Sequence, residues 1–230
     1  MPVIHATLKA IKNLILPKGD HFRRLPIGPL RGSVMKIDFY HQFRQYLGLY
    51  EFELNPHFKR LVRPGMRSFD IGGKGGYSSL LLSSLSQGGQ VLCFECDPPA
   101  IEELKEVVAR NRWPIRLVAA FVGDKVDDSH KTIDWAAQEH FVPDFIKLDI
   151  EGAEVLALKG AAHVLRTRKP SLIIETHGLE LEQECLQILR SYGYDPKVIL
   201  PSKVFPEKRE TFAHNQWIVA EGRASGESAR

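Results

Sequence analysis

Two carboxylates and a histidine stand at the ends of apolar runs, where a folded sheet would present them to a ligand. Asp149 closes Phe145-Ile146-Lys147-Leu148-Asp149, Glu175 closes Ile173-Ile174-Glu175, and His177 follows two residues later. Carboxylates that share a site repel unless a proton, a lysine or a cation lies between them. Lys147 shares a strand face with Asp149 by the two-residue period, and a lysine in a buried strand needs a partner such as Asp149 or Glu175. In that arrangement Lys147, Asp149, Glu175 and His177 form a metal-free reaction centre. His177 is its general base, because an ordinary imidazole titrates near neutral pH. A divalent cation between Asp149 and Glu175 is the alternative. Oxygen ligands favour magnesium, and coordination by His177 would favour a transition metal. Blander roles compete with these. Glu151 and Glu154 fit as first-turn acids favoured by the dipole of the next helix, and His177 fits as a turn-capping residue.

A second set of residues suits a ligand that carries a ribose. Phe69-Asp70-Ile71-Gly72-Gly73-Lys74-Gly75-Gly76-Tyr77-Ser78 reads as a strand, a glycine turn and the start of a helix. Glycines let a ligand approach the backbone amides, and a helix N-terminus offers N–H groups to a carboxylate. The run Val91-Leu92-Cys93-Phe94-Glu95 then ends in an acid 25 positions after Asp70 (95 − 70). A single carboxylate there can accept from both hydroxyls of a ribose. The dinucleotide fingerprint GxGxxG is not met, since Gly73-Lys74-Gly75-Gly76-Tyr77-Ser78 lacks its third glycine. Asp-x-Gly-x-x-x-Gly instead fits the pattern that binds S-adenosylmethionine, with the acid positioning the methionine end. An NAD-dependent oxidoreductase and a catalytically inactive cofactor-binding scaffold are the competing readings.

Only a sheet with aligned strand tips brings these groups together. Short apolar runs alternate with helical patterns through the middle of the chain, which predicts a mainly parallel sheet covered by helices. Strands are expected over 67–71, 90–95, 115–120, 145–149 and 171–175. Helices are expected over 76–86, 99–111, 132–140, 153–167 and 180–192. The runs 194–200 and 215–220 close the sheet as an antiparallel pair. Before the core, Pro17, Pro26, Gly28, Pro29 and Gly32 predict a loop-rich cap, preceded by a short amphipathic helix over Met1–Leu16.

Composition limits the function classes. With 230 residues, the chain suits one domain with modest extensions. A net charge of +3 from 31 basic and 28 acidic residues is too mild for a phosphate-tracking surface, so no nucleic-acid partner is expected. No apolar run approaches the roughly 18 to 20 residues of a membrane span, and the start lacks a signal-peptide cleavage site. Three cysteines cannot build a disulfide framework, and a reducing cytoplasm is the default compartment. Cys93 and Cys96 have CxxC spacing but no second pair to complete a zinc site, and both are expected as buried strand residues.

Together these motifs resemble the FkbM-type methyltransferase family, from about Gly48 to Ala220. The resemblance rests on Gly48-Leu49-Tyr50-Glu51, on Arg63-Pro64-Gly65-Met66 leading into Phe-Asp-Ile-Gly, on Phe94-Glu95 and on Glu175-Thr176-His177. Its most specific piece is Lys147-x-Asp149-x-Glu151-Gly152-x-Glu154. It implies a class I, Rossmann-like α/β methyltransferase fold, with a seven-stranded, mostly parallel sheet in the order 3-2-1-4-5-7-6 behind an N-terminal cap. It also implies S-adenosylmethionine as methyl donor, and O-methylation of a hydroxyl on a sugar or another small molecule. Cofactor contacts are implied for Glu51, Asp70, Gly72, Gly76, Ser78, Glu95, Asp124 and Asp149. The expected division is a cap over residues 1–60, a methyltransferase domain over 61–221 and a disordered tail over 222–230.

The chain departs from the family where Gly72-Gly73-Lys74 replaces Gly-Ala-Asn. That change removes one polar contact and sets a positive charge near a sulfonium. A more distant similarity, to metal-dependent catechol-type O-methyltransferases, would place a divalent cation such as Mg2+ on Asp149 and Glu175, and Ser78 on the cofactor carboxylate.

Overall fold

Strands that are buried on both faces read as unbroken apolar runs, and the centre of this chain has several. The computed structural model describes residues 19–202 and 214–222. The helix expected over Met1–Leu16 and the tail beyond Gly222 lie outside the described residues.

The segment before the core holds two strands, β1 (His21–Arg24) and β2 (Val34–Ile37), paired antiparallel. It continues through helix α1 (Phe43–Tyr46), a single 3-10 turn (Phe52–Leu54) and α2 (Asn55–Leu61). The loops expected here are present over residues 19–60, and they connect these short strands and helices. Pro26, Gly28, Pro29 and Gly32 all fall in the one turn between β1 and β2. Leu25, Leu30, Met35, Ile37, Leu54 and Phe58 from this segment share a core with Leu80 and Val107.

The elements that follow are β3 (Ser68–Ile71), α3 (Tyr77–Ser86), β4 (Val91–Glu95), α4 (Pro98–Asn111), β5 (Ile115–Ala119), β6 (Phe121–Val122), β7 (His130–Lys131) and α5 (Ile133–Glu139). They continue as β8 (Phe145–Leu148), α6 (Glu154–Lys159), α7 (Ala162–Thr167), β9 (Ser171–Thr176), α8 (Leu179–Ser191), β10 (Lys197–Ile199) and β11 (Gln216–Ala220). Local chemistry sets several of these boundaries. Asp97 caps α4 by accepting from the Ala100 amide, with proline in the first turn, and Thr132 caps α5 by accepting from the Trp135 amide. The helix expected over 153–167 is two helices. Gly160 separates them, and its backbone lies so close to the Gly123 carbonyl that an added Cβ would sit 2.0 Å from that oxygen.

Seven strands form one sheet in the order β10-β11-β9-β8-β3-β4-β5. Numbered by themselves along the chain, they read 3-2-1-4-5-7-6 from the β5 edge. Pairs among β5, β4, β3, β8 and β9 are parallel, and β11 joins β9 and β10 antiparallel. The chain winds from β3 outward through β4 to β5, then returns to the other side of β3 with β8. Open α/β sheets place ligands at such a reversal, beyond the carboxyl ends of the strands.

The two sheet faces differ. Phe69, Ile71, Leu92, Phe94, Ile146, Leu148, Leu172 and Ile174 form an apolar face under α5 to α8. By the period of two, the opposite face receives Asp70, Lys147, Asp149 and Glu175 among Val91, Cys93, Phe145, Ile173 and Trp217. Asp70 and Lys147 are direct neighbours across β3 and β8. A row of buried charges therefore crosses the sheet face against which residues of the N-terminal segment pack. Among the described residues no helix is long and apolar enough to cross a membrane.

Candidate functional site

The register aligns the ends of the three central strands, with Ile71 beside Phe94 on one side and Leu148 on the other. The chain must then turn sharply within little space. Gly72 has φ 91°, and a Cβ there would lie 1.8 Å from the Asp149 carbonyl oxygen, so only glycine fits. Asp70 is fully buried behind this turn, and its Oδ2 accepts from Ser78 Oγ at 2.9 Å and Ser79 Oγ at 2.5 Å. These bonds tie the end of β3 to the first turn of α3 across the glycine loop. Burial raises the Asp70 pKa against the opposing pull of Lys147 and the two serines.

Glu95 ends β4 with its carboxylate held by three amides. Oε2 accepts from Lys74 N at 2.8 Å, and Oε1 accepts from Cys96 N at 2.8 Å and Asp97 N at 2.9 Å. These amides turn the chain out of the sheet immediately after Glu95. Cys93 is buried as expected, but Cys96 is exposed and lies beyond the strand, which corrects the expectation of two buried strand cysteines.

A cavity of about 550 Å³ opens above the strand ends. Gly72, Lys74, Glu95, Asp149 and Glu151 supply polar groups to its wall, while Phe94, Phe121, Val122 and Ile150 are among its apolar lining. Lys74 and Glu151 both adopt left-handed backbone, with φ 38° and 50°, and their side chains form an ion pair. The positive charge at Lys74 is thus matched at the cavity wall.

The remaining expected cofactor residues lie off this wall. Asp70 and Ser78 bind each other, and Gly76 packs against Leu104 of α4. Glu51 is buried on left-handed backbone; burial, and then the Glu51 charge, raises the Tyr77 pKa, and Glu51 follows Asp149 among the charges that raise Lys147 against its burial. Asp124 is exposed, two residues beyond Val122.

The side chains of Lys147, Asp149, Glu175 and His177 come together beside the cavity. Lys147 Nζ donates to Asp149 Oδ2 at 2.9 Å, with both side chains buried. Burial alone would lower the Lys147 pKa, but the charges of Asp149, Glu51, Asp70 and Glu175 outweigh it and hold the lysine as an ammonium. Burial would likewise raise Asp149, yet Lys147, His177 and Lys74 bring its pKa below the usual value. His177 Nε2 lies 3.6 Å from Asp149 Oδ1 and 3.7 Å from Glu175 Oε1. Trp217 Nε1 donates to Glu175 Oε2 at 3.3 Å. Asp149 lines the cavity wall, and His177 stands behind it.

One central residue was given a blander role by the sequence. Glu154, read as a first-turn acid, is fully buried, and its Oε1 lies 2.7 Å from His177 Nδ1. Both its oxygens also accept from the Gly152 amide at 3.1 Å. The hydrogen bond to Glu154 and the charges of Asp149, Glu175 and Glu154 overcome burial and raise the His177 pKa.

The sequence matches the family model of the methyltransferase FkbM domain over residues 36–196. In fold the chain is similar to a methyltransferase FkbM from Methylobacillus flagellatus, with TM-score 0.56 and 21% identity over 71% of this chain and 50% of that one. The chain therefore spans half the length of that relative. It is also similar to an S-adenosylmethionine-dependent O-methyltransferase from Thermotoga maritima, with TM-score 0.52 and 14% identity over 77% and 67% of the two chains. Aeropyrum pernix fibrillarin in complex with natively bound S-adenosyl-L-methionine gives TM-score 0.51 and 16% identity over 70% and 68%. No curated protein matches the sequence.

Proposed function

The chain belongs to the FkbM methyltransferase family, and on that premise we propose that it moves the methyl group of S-adenosylmethionine to a hydroxyl oxygen of a small molecule such as a sugar. The observation that carries this reading is a cavity whose wall holds both the amide-bound Glu95 carboxylate and Asp149 of the charged cluster.

The residues fit the cofactor. Glu95 is fixed by three amides, and its carboxylate would accept from the ribose hydroxyls. Phe121, Val122 and Ile150 offer apolar surface for a purine, with Asp124 beyond them. The Gly72–Lys74 backbone, kept in shape by Asp70 and Ser78, would face the methionine end, with Glu51 and Gly76 supporting that loop. When bound, S-adenosylmethionine supplies an electrophilic methyl group. NAD is disfavoured by the family and by the missing third glycine.

The protein's own work is positioning and proton handling. Asp149 would accept a hydrogen bond from the acceptor hydroxyl at the cavity wall. The proton would then pass to His177 Nε2, which lies 3.6 Å from Asp149 Oδ1. Glu175 and Glu154 stabilise the resulting imidazolium. Lys147 stays charged and keeps Asp149 ionised, so its role is to hold a base rather than to be one.

Asp149, Glu175 and His177 also offer three ligand atoms within 4.8 Å of one another, a donor set that suits a divalent ion. Such an ion would polarise the acceptor oxygen. We favour the ammonium of Lys147 as the balancing charge, because it already bonds Asp149.

Titration calorimetry with S-adenosylhomocysteine and NAD is the first test, and binding of NAD alone would refute the reading. Incubation with methyl-labelled S-adenosylmethionine and hydroxylated small molecules, with and without chelator, then separates turnover from mere binding. Loss of turnover in chelator would transfer the role of Lys147 to a metal.

A further inference from the structure

Glu154 bonds a histidine that is separated from it by 23 positions, from a place where no water reaches. An exposed first-turn acid would suffice for the helix dipole. Here the carboxylate is fully buried, aimed at His177 Nδ1, and held in turn by the Gly152 amide. Gly152 has φ 114°, a backbone conformation that L side chains rarely adopt, and this turns its N–H back onto the carboxylate. Burying a carboxylate is costly unless it is paired and hydrogen-bonded, and each of these bonds serves that purpose.

We propose that Glu154 is a positioning residue that fixes His177 as the Nδ1–H tautomer, so that its unprotonated Nε2 faces Asp149 and Glu175. The proposal rests on the methyltransferase reading only for its catalytic meaning. Which ring nitrogen carries the proton is set by the hydrogen bond that the other one makes. A carboxylate at 2.7 Å can only accept, so the neutral ring must place its hydrogen on Nδ1. The other nitrogen is left with its lone pair toward the carboxylate on the cavity wall. Without Glu154 the imidazole would be free to hold its proton on Nε2, as histidine does in water, and the receiving atom would be blocked. The arrangement follows the general logic by which an acid orients a base through its far nitrogen.

The direct test is nitrogen-15 NMR of the His177 ring in the full chain, recorded above the pH at which the imidazole titrates. The wild-type protein should show protonated Nδ1 and unprotonated Nε2. Glu154→Gln should keep that pattern, because its amide oxygen can still accept, whereas Glu154→Leu should shift the ring toward Nε2–H. An Nε2–H ring in the wild type, or a pattern unchanged in Glu154→Leu, overturns the proposal. Calorimetry with S-adenosylhomocysteine on the same variants should give affinities within about threefold of wild type. A loss of more than tenfold in both would make Glu154 a residue of the cofactor cleft instead, and would also overturn it. Failure of the wild-type protein to bind S-adenosylhomocysteine would sink the methyltransferase reading alone. The tautomer measurement needs no cofactor and still decides Glu154.

Discussion

Lys147 Nζ and Asp149 Oδ2 lie 2.9 Å apart inside the sheet, two residues from each other on one strand line. The pair joins a buried support to the cavity wall, because Asp149 faces the cavity while Lys147 also feels Glu51, Asp70 and Glu175. Removing one member of a buried ion pair leaves an uncompensated charge, which typically costs about 3–5 kcal/mol. Lys147→Met should therefore lower unfolding stability by about that amount in denaturant titration. The double variant with Asp149→Leu should recover part of the loss, since one orphaned carboxylate is gone. Equal stability of Lys147→Met and wild type would refute the arrangement.

Glu95 gives a second prediction, independent of the first. Its carboxylate is held at the cavity wall by the amides of Lys74, Cys96 and Asp97. Hydrogen bonds to a charged group are worth about 1.5–3 kcal/mol, so Glu95→Ala should weaken S-adenosylhomocysteine binding roughly 10- to 150-fold. Calorimetry checks this, and an unchanged affinity would mean that Glu95 serves only the turn after β4.

Much of this was legible in the sequence for identifiable reasons. The strands that carry Glu95 and Glu175 are unbroken apolar runs up to those acids, and those of Asp70 and Asp149 are apolar on one face. The two-residue period put Lys147 and Asp149 on one face, and the ion pair follows from that. The contact between Glu154 and His177 was hidden because, although β8 and β9 were expected as neighbours, it also depends on the start of α6 being buried against the loop after β9. A first-turn acid looks the same in sequence whether it meets water or an imidazole. Cys96 was misplaced for a local reason. The Glu95 side chain captures the next two amides and ends the strand, which apolar patterning cannot reveal.

The glycine turn offers a stability comparison. Gly72 and Gly65 both have positive φ, 91° and 82°, but an added Cβ meets the Asp149 carbonyl at 1.8 Å only at Gly72, while nothing lies within 4 Å at Gly65. Both alanine variants should lose roughly 1–2 kcal/mol from the left-handed backbone. Gly72→Ala should lose clearly more, because β3 and β8 must separate, and its S-adenosylhomocysteine binding should fall as well. Similar melting of the two variants would show that the loop absorbs the clash.

The pH dependence of His177 should set activity and stability against each other. Burial pulls its pKa down, but Glu154, Asp149 and Glu175 together raise it above the ordinary 6.5. The charged groups facing it or its partners include the cations Lys147 and Lys74, which act through Asp149. A raised folded-state pKa means that the imidazolium stabilises the fold. That contribution is fully present below pH 6.5, the unfolded value, and is lost as pH rises through the higher folded value. Proton acceptance at Nε2 requires the opposite form, the neutral ring. Once an acceptor is in hand, kcat should therefore rise with pH along an acid limb whose midpoint lies above 6.5. Over the same interval, unfolding stability should fall. Glu154→Gln removes one raising charge and should move both curves to lower pH. His177→Ala should slow turnover, leave S-adenosylhomocysteine affinity intact and flatten the acid limb. A limb with its midpoint at or below 6.5, or one that survives in His177→Ala, would assign the proton to another group.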